Sequence, residues 1–254
     1  LTDRVTVATL RERKRTGAPI AGLTAYDYPT AAFVDRAGLD LVLVGDSLGQ
    51  LALGYGRAED TTMDDMVHHC RAVSRAVARA MVVGDMPFGS YEVSPTLAVQ
   101  NAVRLVHEGG VSVVKLEGGE EVVPAVRAIT AARIPAFGHL APVHAGHTTS
   151  DDARADALVA AALALEAAGV SAIVLVGQEH ETARRITAAV RACPTIGFLS
   201  GPFCDGQLLV TPYMLGLLPA HDPQPGPYGS LGAELIETFS RFRTDALNGT
   251  FRGT

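Results

Sequence analysis

The ten residues "LVLVGDSLGQ" (41–50) decide the fold. Four apolar residues and a glycine run straight into Asp46 and Ser47. A run without polar alternation reads as a strand covered on both faces, as strands of a parallel sheet are. It ends on an acid, which needs a cationic or proton-donating partner at the strand tip. The same arrangement returns along the chain. "IAGLTAYD" ends on Asp27, "AMVVGD" on Asp85 and "PTIGFLS" on Ser200. "VSVVKLE" carries Lys115 and Glu117, and "IPAFGHL" carries His139. "VSAIVLVG" and the weaker "GQLLV" complete eight candidate strands.

Alanine-rich helical stretches lie between them, among them "PTLAVQNAVRLVHEGG" and "ADALVAAALALEAAG". The "RAG", "EGG" and "AAG" ends put glycine where a helix terminates in a left-handed residue. About eight strand–helix units in a chain of 254 residues predict a closed (β/α)8 barrel, a TIM barrel, with a doubly wound open sheet as the alternative. One domain is expected, with the barrel over about 17–218 and a tail over 219–254. The linker "PAHDPQPGPYGS" leads to a last helix, "LGAELIETFSRFRTDALNG", of a kind that packs on a neighbouring subunit.

Composition narrows the function. Hydrophobic residues make up 48% of the chain and the net charge is −6 with no basic block, which argues against a nucleic-acid partner. No apolar run approaches the roughly 20 residues of a membrane span. The charged N-terminal stretch lacks a signal-peptide core. Three scattered cysteines without CxxC spacing fit a reduced, cytoplasmic chain. Neither a P-loop nor a GxGxxG fingerprint is present.

In a barrel the strand-end groups converge on the C-terminal mouth, where catalytic residues gather. A single acid at such a position is often a helix cap, and Asp27 is read that way. Asp46 and Asp85 are flanked by apolar residues, and together they suggest a hard, oxygen-rich site suited to Mg²⁺. Lys115 would balance that charge and bind an anionic substrate, or else pair with Glu117. His139 would hydrogen-bond a carbonyl or carboxylate. His144 and His147 form no convincing zinc site without cysteine, and His68 and His69, on a helix, read as structural.

"TAYDY" (24–28), "LVGDSLG" (43–49), "GDMPFGSY" (84–91), "VVKLEGG" (113–119), "IPAFGHL" (134–140) and "DGQLLV" (205–210) stand in an order and spacing that resembles the ketopantoate hydroxymethyltransferases. The resemblance covers most of residues 17–216. It implies a barrel of the phosphoenolpyruvate/pyruvate superfamily with an N-terminal helix and a C-terminal tail helix, assembled as a homo-oligomer, a decamer in the family. It also implies hydroxymethyl transfer from methylenetetrahydrofolate to a 2-oxo acid, 3-methyl-2-oxobutanoate, as in pantothenate biosynthesis. By position, the resemblance makes Asp46 and Asp85 ligands of Mg²⁺, with Glu117 near the metal. Ser47, Asp85, Lys115 and His139 become contacts to the 2-oxo acid.

The chain also departs from that family pattern. The resemblance implies a glutamate base at the end of the sixth strand, where "IVLVGQE" places Val176. Glu179 is a substitute base candidate at the start of the next helix. The loop after His139 is short, and Pro212 and Tyr213 replace a His-Asp pair, so folate binding is expected to be weakened or lost. Three readings follow. The favoured one is a divergent hydroxymethyltransferase or aldolase. The second is a C–C lyase or decarboxylase that needs no base, and the third is a catalytically silent paralogue.

Overall fold

The computed structural model describes residues 4–142, 151–218 and 226–250, so His144 and His147 lie outside the described residues. The eight strands are β1 (Ile20–Thr24), β2 (Leu41–Val44), β3 (Met81–Asp85), β4 (Val113–Glu117), β5 (Ala136–Leu140), β6 (Ala172–Val176), β7 (Thr195–Phe198) and β8 (Gly206–Leu209). They pair in sequence order, all parallel, and β8 closes on β1. The open-sheet alternative is thereby excluded. The helices are α1 (Val7–Thr16), α2 (Tyr28–Arg36), α3 (Leu48–Leu51), α4 (Met63–Ala76), α5 (Pro95–His107), α6 (Val123–Ala131), α7 (Asp151–Ala167), α8 (His180–Ala189), α9 (Thr211–Met214) and α10 (Leu231–Asn248). Gly38, Gly110 and Gly169, the glycines read as helix stops, all have positive φ.

The chain forms two compact units, Leu1–Leu209 and Val210–Thr254. In the first, apolar side chains sort onto two sides of the strand cylinder. Val42, Val44, Val82 and Val114 face outward against the helices, in a cluster with Met66, Leu105 and Ile129. Leu41, Leu43, Met81, Val83, Phe137 and Ile196 face inward and fill the barrel. This period-two division is why the strands are apolar throughout. In the second unit, α10 buries none of its residues, and Leu235, Ile236, Phe239 and Phe242 are exposed along it.

The N-terminal end of the barrel is shut by α1. A capping box starts this helix: Thr9 N–H donates to Thr6 Oγ1, and Thr6 N–H donates to Thr9 Oγ1. Leu10 and Val5 are buried with the inward-facing strand residues. Asp40, just before β2, fastens this end. It accepts a two-pronged contact from Arg13 (2.6 and 2.8 Å), one from Arg79 at 3.1 Å and one from the Ala21 N–H at 3.1 Å. Asp40→Asn leaves two partly buried guanidinium groups short of their counter-charge. It should therefore lower unfolding stability by about 2 kcal/mol. Urea denaturation checks this, and an unchanged midpoint would mean that the ion cluster contributes nothing to closure.

Candidate active site

Barrel registry determines which side chains meet at the mouth. Side chains of alternate strands share a layer inside an eight-stranded barrel. The register pairs Asp85 with Lys115, Glu117 with His139, His139 with Val174 and Val176 with Phe198. Followed around the barrel, these pairs place Asp85, His139 and Phe198 (β3, β5, β7) in one inward-facing layer. Glu117 and Val176 (β4, β6) lie in the layer above, and Lys115 and Val174 in the layer below. The mouth is thus polar on its β2–β5 side and apolar on its β6–β7 side.

The polar side is tightly connected. Lys115 Nζ lies 2.9 Å from Asp85 Oδ1, and it donates to His139 Nδ1 at 3.2 Å. With Nδ1 accepting, neutral His139 carries its proton on Nε2. Glu117 Oε2 approaches the same Nδ1 at 3.5 Å. The Asp46 N–H donates to Asp85 Oδ2 at 3.2 Å, which brings the tips of β2 and β3 together. Lys115 therefore pairs with Asp85 on the neighbouring strand rather than with Glu117, two residues along its own.

Burial pushes the Asp85 carboxyl up to about 7; the Asp46 charge adds to this and the Lys115 ammonium opposes it. For Lys115, burial works against the charged form, but Asp85, Asp46 and Glu117 outweigh it and raise the ammonium above its ordinary value. Three carboxylates thus face one ammonium, and all the donors are hard oxygens. A divalent cation of the Mg²⁺ class fits that donor set and charge surplus. Among the described residues no three His, Cys, Asp or Glu side chains close into a cage.

Two groups that the sequence did not single out join the site. Tyr26, buried after β1, has its hydroxyl 3.0 Å from Ser47 Oγ, and burial raises its phenol. Gln178, buried after β6, donates through Nε2 to Leu140 O at 3.1 Å and to Val176 O at 3.4 Å. A cavity of about 480 Å³ opens beside the cluster, lined by Asp46, Glu117, Phe88 and Tyr91 among others.

The remaining residues picked from sequence lie elsewhere or serve structure. Asp27 caps α2, accepting from Thr30 N–H at 2.8 Å and from Thr30 Oγ1 at 3.0 Å. The His69 ring Nδ1 lies 2.6 Å from Tyr26 O, and His68 is exposed. Ser200 is a structural tie, as its Oγ accepts from Gln178 N–H and donates to Leu175 O. Glu179 is exposed at the N-cap position of α8, while Val176, at the end of β6, is partly buried against the barrel interior. Among the described residues no helix is long and apolar enough to cross a membrane.

Comparison with known proteins agrees with this geometry. The family described as ketopantoate hydroxymethyltransferase matches residues 4–253. A 3-methyl-2-oxobutanoate hydroxymethyltransferase of Thermoanaerobacter sp. (strain X514) is 47% identical over 230 residues, covering 87% of this chain and 84% of the relative. The protein of the same name from Ignicoccus hospitalis is 46% identical over 260 residues, covering 98% and 97%. Among solved structures, a putative phosphonomutase from Burkholderia cenocepacia J2315 aligns with TM-score 0.66 at 19% identity, over 94% of this chain and 98% of that one. A 2,3-dimethylmalate lyase of the PEP mutase/isocitrate lyase superfamily aligns with TM-score 0.65 at 16% identity, over 96% and 88%. At such identities these two establish the barrel type alone.

Proposed function

Because the chain belongs to the ketopantoate hydroxymethyltransferase family, we propose that it is a one-carbon transferase acting on a 2-oxo acid at the barrel mouth. The observation that carries this reading is the buried Asp85–Lys115–His139 cluster, with Asp46 and Ser47 at the adjoining strand tip. Asp46 and Asp85 would hold Mg²⁺, with Glu117 nearby. Bound there, the ion would supply stabilisation of negative charge developing on the keto oxygen when C3 loses its proton.

The chain's own groups have separable tasks. Lys115 presents a fixed ammonium to an anionic substrate, its charge maintained by the surrounding acids. Ser47, held by Tyr26, orients a substrate oxygen. The His139 ring is aligned by its contact with Lys115. Methylenetetrahydrofolate is the family's one-carbon donor. The short sequence after His139, most of which lies outside the described residues, and Pro212–Tyr213 in place of a His-Asp pair are the basis for proposing weaker folate binding in this chain.

Val176 supports a second reading. The family resemblance implies a glutamate base at this place, and an inward-facing valine cannot accept a proton. A C–C lyase or decarboxylase reaches the same charge on oxygen by breaking a carbon–carbon bond, with no base at β6. Turnover of a 2-oxo acid panel with Mg²⁺, with and without methylenetetrahydrofolate, separates the two. Donor-dependent hydroxymethylation supports the transferase, donor-independent cleavage supports the lyase, and inertness throughout leaves a silent paralogue. In parallel, calorimetry should show Mg²⁺-dependent binding of 3-methyl-2-oxobutanoate that disappears in Asp46→Asn and in Asp85→Asn. Undiminished Mg²⁺ affinity in the double variant would remove the cation assignment.

A further inference from the structure

We infer that Thr61 and Tyr91 are positioning residues for two carboxylates of the cation site, those of Asp46 and Glu117. This rests on the Mg²⁺ reading proposed above. Thr61 lies just before α4, and Tyr91 lies between β3 and α5. Neither stands at a strand tip, yet both are buried, at 3% and 5% exposure. Each turns its hydroxyl onto the main chain of a residue assigned to that site. Thr61 Oγ1 donates to Asp46 O at 2.8 Å, and Tyr91 OH donates to Glu117 O at 2.9 Å.

At both places the backbone is held from opposite sides. The Glu117 carbonyl and the Gly118 N–H belong to one planar peptide unit. Tyr91 holds the first, and the second donates to His139 O at 3.1 Å. Asp46 is held through its N–H by Asp85 Oδ2, and through its carbonyl by Thr61 and by the Gly49 N–H at 3.0 Å. Fixing the peptide planes of a residue fixes its Cα–Cβ direction, and so limits where its carboxylate can reach. The supports are themselves anchored. A Cβ on Gly49 would collide with Thr61 Oγ1, so the glycine leaves room for that hydroxyl. The adjacent Thr62 caps α4, accepting from Asp65 N–H at 3.2 Å, which leaves Thr61 to turn inward. Asn101 Nδ2 on α5 donates to Ser90 O at 2.7 Å and so fastens the loop that carries Tyr91. Groups that hold a metal's ligands in place control affinity although they never touch the ion.

The test uses Mn²⁺, which takes the same hard oxygen donors as Mg²⁺, with binding followed by electron paramagnetic resonance. Thr61→Val and Tyr91→Phe keep the side-chain shape and remove the hydroxyl. Each should raise the Mn²⁺ dissociation constant about tenfold, and Thr61→Ser should restore affinity to within about twofold of native. Glu117→Gln should also weaken binding. Adding Tyr91→Phe to Glu117→Gln should then cost about twofold or less, because the hydroxyl acts through Glu117. Native affinity in either hydroxyl variant, no rescue by Thr61→Ser, or an undiminished tenfold loss in the Glu117→Gln background overturns the inference while the cation reading stands. If the native protein binds no Mn²⁺, or Glu117→Gln binds it as well as the native protein does, the cation reading itself falls and the inference falls with it.

Discussion

Val176→Glu should speed exchange of the C3 proton of 3-methyl-2-oxobutanoate with D₂O by about 10²–10⁴-fold, the usual worth of a positioned general base. That factor corresponds to roughly 3–5 kcal/mol of barrier. The β6 register aims this side chain into the mouth, in the same layer as Glu117. A carboxylate placed there would have a like charge two strands away, which raises its pKa toward the range in which a base works best. Proton exchange followed by NMR, with Mg²⁺ and no one-carbon donor, isolates this step. Rapid exchange by the native protein would show that another group, such as Glu179 or a histidine, already removes the proton. The lyase reading would then lose its main support.

Lys115→Met should cost about 3–5 kcal/mol of stability at pH 9, because it strands a buried carboxylate, and far less at pH 5. The Asp85 carboxyl titrates at about 7 in the folded chain, well above its ordinary value of 3.8. A raised carboxyl favours the fold while it is protonated in both states. That contribution is lost as pH rises through the folded value. Removing Lys115 takes away the main influence holding Asp85 down, so the variant's folded value moves higher still. Between pH 5 and 7 both proteins fold with Asp85 largely protonated, and the variant loses little. Above pH 7 the penalty should grow by about 1.4 kcal/mol per pH unit. Urea melts at pH 5, 7 and 9 test this; a penalty independent of pH would mean that Asp85 is not the stranded partner.

Much of the barrel was legible because each strand is an unbroken apolar run bounded by glycine or a polar tip. The glycines after α2, α5 and α7 punctuate it as their left-handed geometry requires. Asp27 was legible for a similar reason, since an acid three residues before a threonine at a helix start makes a local bond. Contacts between strands were harder to read. Lys115 has Glu117 two residues away on the same face, so local spacing suggests that pair. The β3–β4 register instead brings Asp85 alongside, and only barrel closure reveals this. Tyr26 and Gln178 were missed because their partners, Ser47 and Leu140, are 21 and 38 positions away. Their adjacency depends on how neighbouring strands end, which no short window of sequence contains. Phe198 lies within the apolar run "PTIGFLS", and its place in the mouth depends on the same registry.

The plug that α1 forms at the opposite end has a kinetic consequence. With Leu10 and Val5 packed at that end, Asp40 clamping it and inward-facing side chains filling the interior above them, the C-terminal mouth is the doorway to the proposed site. Reactants and product share that doorway, so order of arrival matters. A 2-oxo acid that must reach Lys115, one layer below Asp85 and His139, has to descend before any second reactant settles above it. A second reactant arriving first becomes an obstruction, and product departs only after whatever sits over it has gone. Traffic through a single opening favours an ordered sequence over a random one, with excess of the outer reactant acting as an inhibitor.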